Sequence, residues 1–388
     1  MAIPFKYNIG NLTSRRVSTA LTILGIGVVN AVLVSMLALW NGVQHTTATS
    51  GSASNLIVLR DGSETELSSW FDKAKENVIR TLPGVAKRAN GEPLVSPEVV
   101  MLFKLPRKGD AKESNVEVRG LRPVGVELRS NFKMVEGNMF RPGVNEVIVA
   151  KRIHDRFAGL NVGDSFHFGA QDWKVVGVFD AGGTAFDSEI WADLDYFASA
   201  RKRTTTYSSV LVQPVDAAAL KSVKETVEND NRLKLMAKTE QTYYAEQTSG
   251  LFGVIILVGF VTIFMIVGAI LGTMNTMFTA VASRKRELAT MRALGFKRRA
   301  ILMSIVIESA VVSMLGAIVG LILAYPIRYV TTGTTNFRTF SEVVFNFRVD
   351  PKTALITMII AVVAGVIGGL APAISAAWMP ITRALREI

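Results

Sequence analysis

LFGVIILVGFVTIFMIVGAILGTMNTMFTAVAS, residues 251–283, has no ionisable side chain in 33 positions. A helix needs about 20 apolar residues to cross the hydrocarbon core of a bilayer, so this stretch is long enough to span one. Three further stretches share the property: Val17 to Gln44, Ala300 to Ile327 and Thr353 to Thr382, with Glu308 the only ionisable residue among them. Backbone amides in lipid must be satisfied within the segment, so all four read as helices. The expected fold is an α-helical membrane protein with four transmembrane helices and one large α+β extracytoplasmic domain.

Charge sets the expected orientation, because Lys and Arg near a span stay on the cytoplasmic side. Lys6, Arg15 and Arg16 precede the first span. Arg284, Lys285, Arg286, Arg292, Lys297, Arg298 and Arg299 join the second to the third, and Arg383 and Arg386 follow the fourth. Glu287 and Glu387 are the only acids beside them. Residues 45–250 hold 27 Lys+Arg and 27 Asp+Glu, so the formal charge of +11 is almost wholly topological. Nucleic-acid binding needs a basic folded face, which a neutral segment does not supply. The expected layout is a cytoplasmic N-terminal segment (1–16), spans at 17–44, 251–283, 300–327 and 353–382, and an extracytoplasmic domain at 45–250. A cytoplasmic segment at 284–299, a short outer loop at 328–352 and a cytoplasmic C-terminus at 383–388 complete it. The first apolar run exceeds a signal-peptide core and lacks a clear cleavage site, so it reads as an uncleaved span. With no cysteine, the exported domain must hold together by packing alone.

Trp40, Tyr243, Tyr244, Phe252, Tyr325, Tyr329 and Trp378 mark expected water boundaries. Small residues recur within the spans: Gly268 with Gly272, Gly316 with Gly320, and Gly365 with Gly368 and Gly369. Such pairs let helix backbones approach. In the outer domain, Asn55 to Arg60 and Val99 to Leu105 read as strands, and Glu66 to Leu82 as a helix stopped by Pro83-Gly84. Strand patterns follow at 116–121, 146–150, 164–168 and 173–179, then a strand at 207–212 and a helix at 217–228. This order suggests a split α/β part (55–105 and 205–240) around a β-rich insert (110–200). From Thr239 a helical pattern runs on toward the second span, suggesting a rigid joint.

Residues 284–295, Arg-Lys-Arg-Glu-Leu-Ala-Thr-Met-Arg-Ala-Leu-Gly, are helix formers ended by a glycine where a C′ residue belongs. On a helical wheel their charges do not collect on one side, which favours a helix docked in a protein groove over one lying in lipid headgroups.

At these residues the chain resembles the four-span permeases of the MacB/FtsX type among ATP-binding-cassette (ABC) transporters. The resemblance is carried by Arg284-x-x-Glu-Leu-x-x-x-Arg-Ala-Leu-Gly295 and by Pro372-Ala-x-x-Ala-Ala-x-x-Pro380-x-x-x-Ala-Leu-Arg386. At the front, Asn11-Leu-x-x-Arg15 and Leu21-Thr-x-Leu-Gly-Ile-Gly27 add to it. It implies a non-catalytic permease that works by mechanotransmission. Two copies, identical or paralogous, would assemble with a cytoplasmic ABC ATPase dimer and, on the outer side, an adaptor protein. Arg284, Glu287, Leu288, Met291, Arg292, Leu294 and Gly295 would couple to the ATPase. A regulator of cell-wall hydrolases and a lipoprotein-releasing permease are the alternatives within the family.

No Gly-x-x-x-x-Gly-Lys-Ser/Thr occurs, so ATP and Mg are expected on a separate ATPase, with no cofactor or metal in this chain. Enzymatic activity is not expected either: there is no cysteine, no His-Glu-x-x-His and no Gly-x-Ser-x-Gly, and His45, His154 and His167 are scattered. Glu308 sits about 12 Å into its span. An intramembrane carboxylate costs about 2.5 kcal/mol or more, so it should face other helices and pair with polar atoms such as Asn275 or Asn30.

Overall fold

A computed structural model of the chain describes residues 16–109, 112–169, 171–200, 202, 204–247 and 252–381. The sequence-predicted features at Lys6, Asn11, Arg15, Arg383 and Arg386, and the 248–251 junction toward the second span, lie outside these residues. The chain divides into a helical unit (Met1–Asn41, Val254–Val330, Asn346–Ile388) and an α/β unit (Gly42–Gly253, Thr331–Phe345).

Four helices are long and apolar enough to cross a membrane: Arg16–Ala48, Phe252–Ala282, Arg298–Ala324 and Pro351–Trp378. They are called the first to fourth spans below. The first and third spans cross where glycine removes the side chain. A Cβ on Gly316 would stand 2.6 Å from Ile26 Cγ2, and one on Gly320 would stand 2.7 Å from the Gly27 carbonyl oxygen. Asn30 Nδ2 donates to Ala317 O at 3.0 Å beside this crossing. Gly268 and Gly272 behave differently, since nothing lies within 4 Å of a Cβ added to either. Only 6% of the second span's apolar window is buried, against 44% for the third.

In the α/β unit the strands are β1 (Leu56–Arg60), β2 (Phe71–Asp72), β3 (Val95–Pro106), β4 (Glu113–Leu121), β5 (Lys133–Gly137), β6 (Glu146–Ala150) and β7 (Ser165–Phe168). They continue as β8 (Gln171–Asp180), β9 (Glu189–Asp193), β10 (Thr206–Tyr207), β11 (Ser209–Val212), β12 (Leu235–Thr239), β13 (Thr331–Thr335) and β14 (Glu342–Asn346). One sheet runs β12-β1-β11-β3-β4-β9-β6-β8-β5, with β7 paired to β8, so the strands of the split part and those of the insert lie on opposite sides of β3. The joint is β3: Val95 to Glu98 pair with β11, and Val99 to Pro106 pair with β4.

Arg119 of β4 is buried at that joint, next to Val100 across the ladder. Its guanidinium donates to Glu66 at 2.7 and 2.9 Å, to Glu98 at 2.7 Å and to Glu189 at 2.7 and 2.8 Å. Arg129 adds two bonds of 2.8 Å to Glu98. Burial alone would lower the Arg119 pKa, but Glu189 and Glu66 hold it well above its ordinary value.

This cluster explains a correction. The helix expected over 66–82 occupies only Lys73–Arg80, N-capped by Asp72, whose carboxylate accepts from Ala74 N. Glu66 is instead buried as an Arg119 partner, with its backbone N–H donating to Tyr243 OH at 3.1 Å. Tyr243 and Tyr244 are buried here too, so neither is a boundary ring.

The expected short outer loop is also more than a connection. β13 and β14 form a hairpin within the α/β unit, with Val344 and Phe345 buried. Glu342 takes bonds from Arg107 Nη2 at 2.6 Å and from Arg156 Nε. Ser188 Oγ accepts from Val344 N at 2.9 Å.

Arg119→Met leaves Glu66 and Glu189 buried without their cation, and Glu98 with Arg129 alone. Removing one partner of a buried pair costs about 3–5 kcal/mol. A thermal melt of the full chain should show the α/β unit destabilised on that scale, and a loss under about 1 kcal/mol would contradict the role given to Arg119.

Candidate functional site

Between the second and third spans, Lys285–Ala293 is helical, and its end is closed by backbone chemistry. Gly295 N donates to Arg292 O and Phe296 N to Met291 O, both at 3.1 Å, the paired bonds of a Schellman motif. Gly295 holds φ at +93°, where a side chain would be strained. The third span begins three residues later.

One face of this short helix is fixed inward. Leu288 is buried in an apolar cluster with Met277 and Val281 of the second span, Ile301 and Ile305 of the third, and Ala373 and Ala376 of the fourth. Ala289 is buried, and Met291 packs partly against the same cluster. The closing Pro372-Ala-x-x-Ala-Ala motif thus supplies two of the small side chains against which Leu288 rests.

Arg284, just before the helix, is buried, and its Nη2 lies 2.6 Å from Glu308 Oε1. Glu308 was expected to bond Asn275 or Asn30, but Asn275 is exposed on the second span and Asn30 Nδ2 is spent on Ala317 O. A guanidinium offsets a buried carboxylate's charge, which a neutral amide does not. Arg284 was also expected to face a partner and instead turns inward. The sequence signal was the coincidence of one acid within the spans and a base at the mouth of the preceding span.

The opposite face is open. Glu287, Thr290, Ala293, Leu294 and Gly295 are exposed, Leu294 by 72%. Arg292 is half-buried, and its Nε has no partner among the described residues. Of the seven sequence-predicted coupling residues, Arg284, Leu288 and Met291 therefore face inward, Glu287, Leu294 and Gly295 face outward, and Arg292 lies between. The arrangement holds no catalytic constellation. One face packs against three spans and the other is exposed.

A second feature of the helical unit is an apolar groove of about 570 Å³ between the first and second spans. Val17, Leu21, Gly25 and Val29 line one side and Gly268, Ala269 and Gly272 the other.

Comparison with known proteins places both units. The MacB-like periplasmic core domain profile matches residues 19–230, more than half of the chain, and the FtsX-like permease C-terminal profile matches residues 259–381. The macrolide export ATP-binding/permease protein MacB of Escherichia coli is 25% identical over 95% of this chain. That alignment spans 58% of MacB, so the chain accounts for under three-fifths of that relative's length. Two other relatives are matched almost end to end. The uncharacterized ABC transporter permease MJ1507 of Methanocaldococcus jannaschii is 24% identical, covering 97% of this chain and 96% of its own. The uncharacterized ABC transporter permease YknZ of Bacillus subtilis is 25% identical, covering 97% of each. With four apolar helices, a MacB-like α/β domain and an FtsX-like C-terminal region, the chain belongs to the MacB/FtsX-type family of ABC transporter permeases.

Proposed function

We propose that this permease converts ATP hydrolysis on the cytoplasmic side into motion of its α/β unit on the outer side, and so drives export or envelope transport. The observation that carries the reading is the two-faced helix Lys285–Ala293, anchored inward by Leu288 and the Arg284–Glu308 pair and open outward at Glu287, Leu294 and Gly295. A helix built this way suits the groove of an ATPase. The ATP, the Mg and the ATPase dimer come from outside these 388 residues, which contain no phosphate-binding loop. The positive-inside rule supports cytoplasmic termini and an extracytoplasmic residue 45–250 segment.

Force entering at the short helix would move the third and fourth spans, and the β13–β14 hairpin joining them is part of the α/β unit. The output is therefore tied to the chain at the ends of all four spans. The name of the Escherichia coli relative, a macrolide export protein, suggests export of a small molecule, with an adaptor on the outer side receiving the stroke.

A second copy of the permease is the best occupant of the groove between the first and second spans. Open glycines at Gly25, Gly268 and Gly272 and an exposed Asn275 on so little buried a helix suit close packing by another span.

Three outcomes follow in nanodiscs that contain the permease and its ATPase. Leu294→Asp should lower permease-stimulated ATP hydrolysis at least tenfold while membrane insertion stays intact, and unchanged stimulation would remove the coupling reading. Arg284→Glu and Glu308→Arg should each uncouple hydrolysis, and the double exchange should restore it in part; normal coupling in both single variants would show the pair to be idle. Gly272→Leu should shift the permease from dimer toward monomer in chemical crosslinking, whereas an unchanged crosslink yield would place the second copy elsewhere.

A further inference from the structure

Glu117 is two residues before Arg119 on β4, on the same face of the strand. The parallel register with β9 sets it beside Glu189. All of Arg119's nitrogens are engaged with Glu66, Glu98 and Glu189, and Glu117 has no ion-pair partner among the described residues. Its hydrogen bond comes from the hairpin: Ser341 Oγ donates to Glu117 Oε1 at 2.7 Å.

The carboxyl borders a cavity of about 40 Å³ whose wall is crowded with acceptors. Glu66 faces it from the segment before β2, Glu189 from β9, Tyr243 and Tyr244 from the helix Glu240–Gln247, and Glu342 from β14. The nearby cations are committed elsewhere, Arg119 as above and Arg107 and Arg156 to Glu342. Gln247 shares this wall, is 5% exposed, and has its Oε1 without a donor among the described residues. A protonated Glu117 carboxyl would add a donor to this wall and remove one of its four negative charges.

We propose that Glu117 is a proton-binding site that sets how firmly the β13–β14 hairpin is held on the α/β unit. The hairpin forms part of the cavity wall through Asn336, Thr339, Ser341, Glu342 and Val343, so seating it removes water from Glu117. Burial, joined by the charge of Glu189, pushes the Glu117 carboxyl up to about 7, with Ser341 and Arg119 pulling the other way. Once the hairpin lifts, water returns and the carboxyl relaxes toward its ordinary, lower value. The seated state therefore holds the proton more tightly, and protons favour seating. The contribution is fully present below the ordinary carboxylate pKa and is lost as pH rises through about 7. An acidified outer compartment would tighten the hairpin that joins the third and fourth spans. The inference depends on the α/β unit alone and stands whether or not the coupling reading does.

Hydrogen exchange of residues 331–345 tests it in the full-length protein in nanodiscs between pH 5.5 and 8.5, with intrinsic exchange rates divided out. Opening of the hairpin should be roughly thirtyfold more frequent at pH 8.5 than at pH 5.5 in the native chain. Glu117→Gln should stay protected across the range, and Ser341→Ala should move the midpoint to higher pH by removing a bond that favours the ionised form. Equal protection at both ends of the range in the native chain, or an undiminished pH response in Glu117→Gln, would overturn the proposal. Should Glu117→Gln fail to fold, an unmoved midpoint in Ser341→Ala would do so.

Discussion

A carboxylate within an apolar helix bundle is tolerable only beside a compensating charge, and Glu308 meets that requirement with Arg284. The pairing has a mechanical side effect. Arg284 begins the short helix between the second and third spans, so the bond ties that helix to the middle of the third span. Leu288 adds an apolar anchor against three spans. A flexible loop would absorb a displacement, whereas a helix held at two points passes it on. The same residues that let the segment be buried would make it a lever under the proposed coupling.

The α/β unit is braced by its buried charges. Its sheet changes partners along β3, and a sheet that does so has a natural hinge between its halves. Arg119 sits at that place and binds carboxylates from three separate segments: Glu66 before β2, Glu98 on β3 and Glu189 on β9. Such ion clusters are seldom the most stable filling for a core, but their bonds have fixed directions. The cluster thus makes one body of two half-sheets, and the β13–β14 hairpin carries the third and fourth spans into it.

Features that follow from local chemistry were readable from the sequence. The four uncharged runs became four long helices, and the glycine at 295 ends its helix with the expected pair of backbone bonds. What depended on distant partners was hidden. Arg284 read as a topological charge and a coupling residue, and the one hint that it folds back on Glu308 is a lone acid within the spans facing a base at the mouth of the preceding span. Glu66 fitted an exposed amphipathic pattern, yet three-dimensional charge pairing drew it into the core and shortened the helix. The hairpin after Tyr329 is buried along β14, where Glu342 and Val344 meet Arg107, Arg156 and Ser188, far away in the chain. Glycine pairs looked alike on paper, and only geometry separates Gly316 and Gly320, which are packed within the chain, from Gly268 and Gly272, which are open.

Under the proposed coupling, displacement entering at the exposed face of the 285–293 helix leaves through the α/β unit. Because the chain has no cysteine, single spin labels can be introduced cleanly, for instance at the exposed Val215 of each α/β unit in a permease pair. Double electron–electron resonance should then show a shift in the label-to-label distance when the ATPase is trapped with ATP. The account predicts that the shift appears in the native background and vanishes with Leu294→Asp. A native distance indifferent to nucleotide, or an equal shift in the variant, would contradict it.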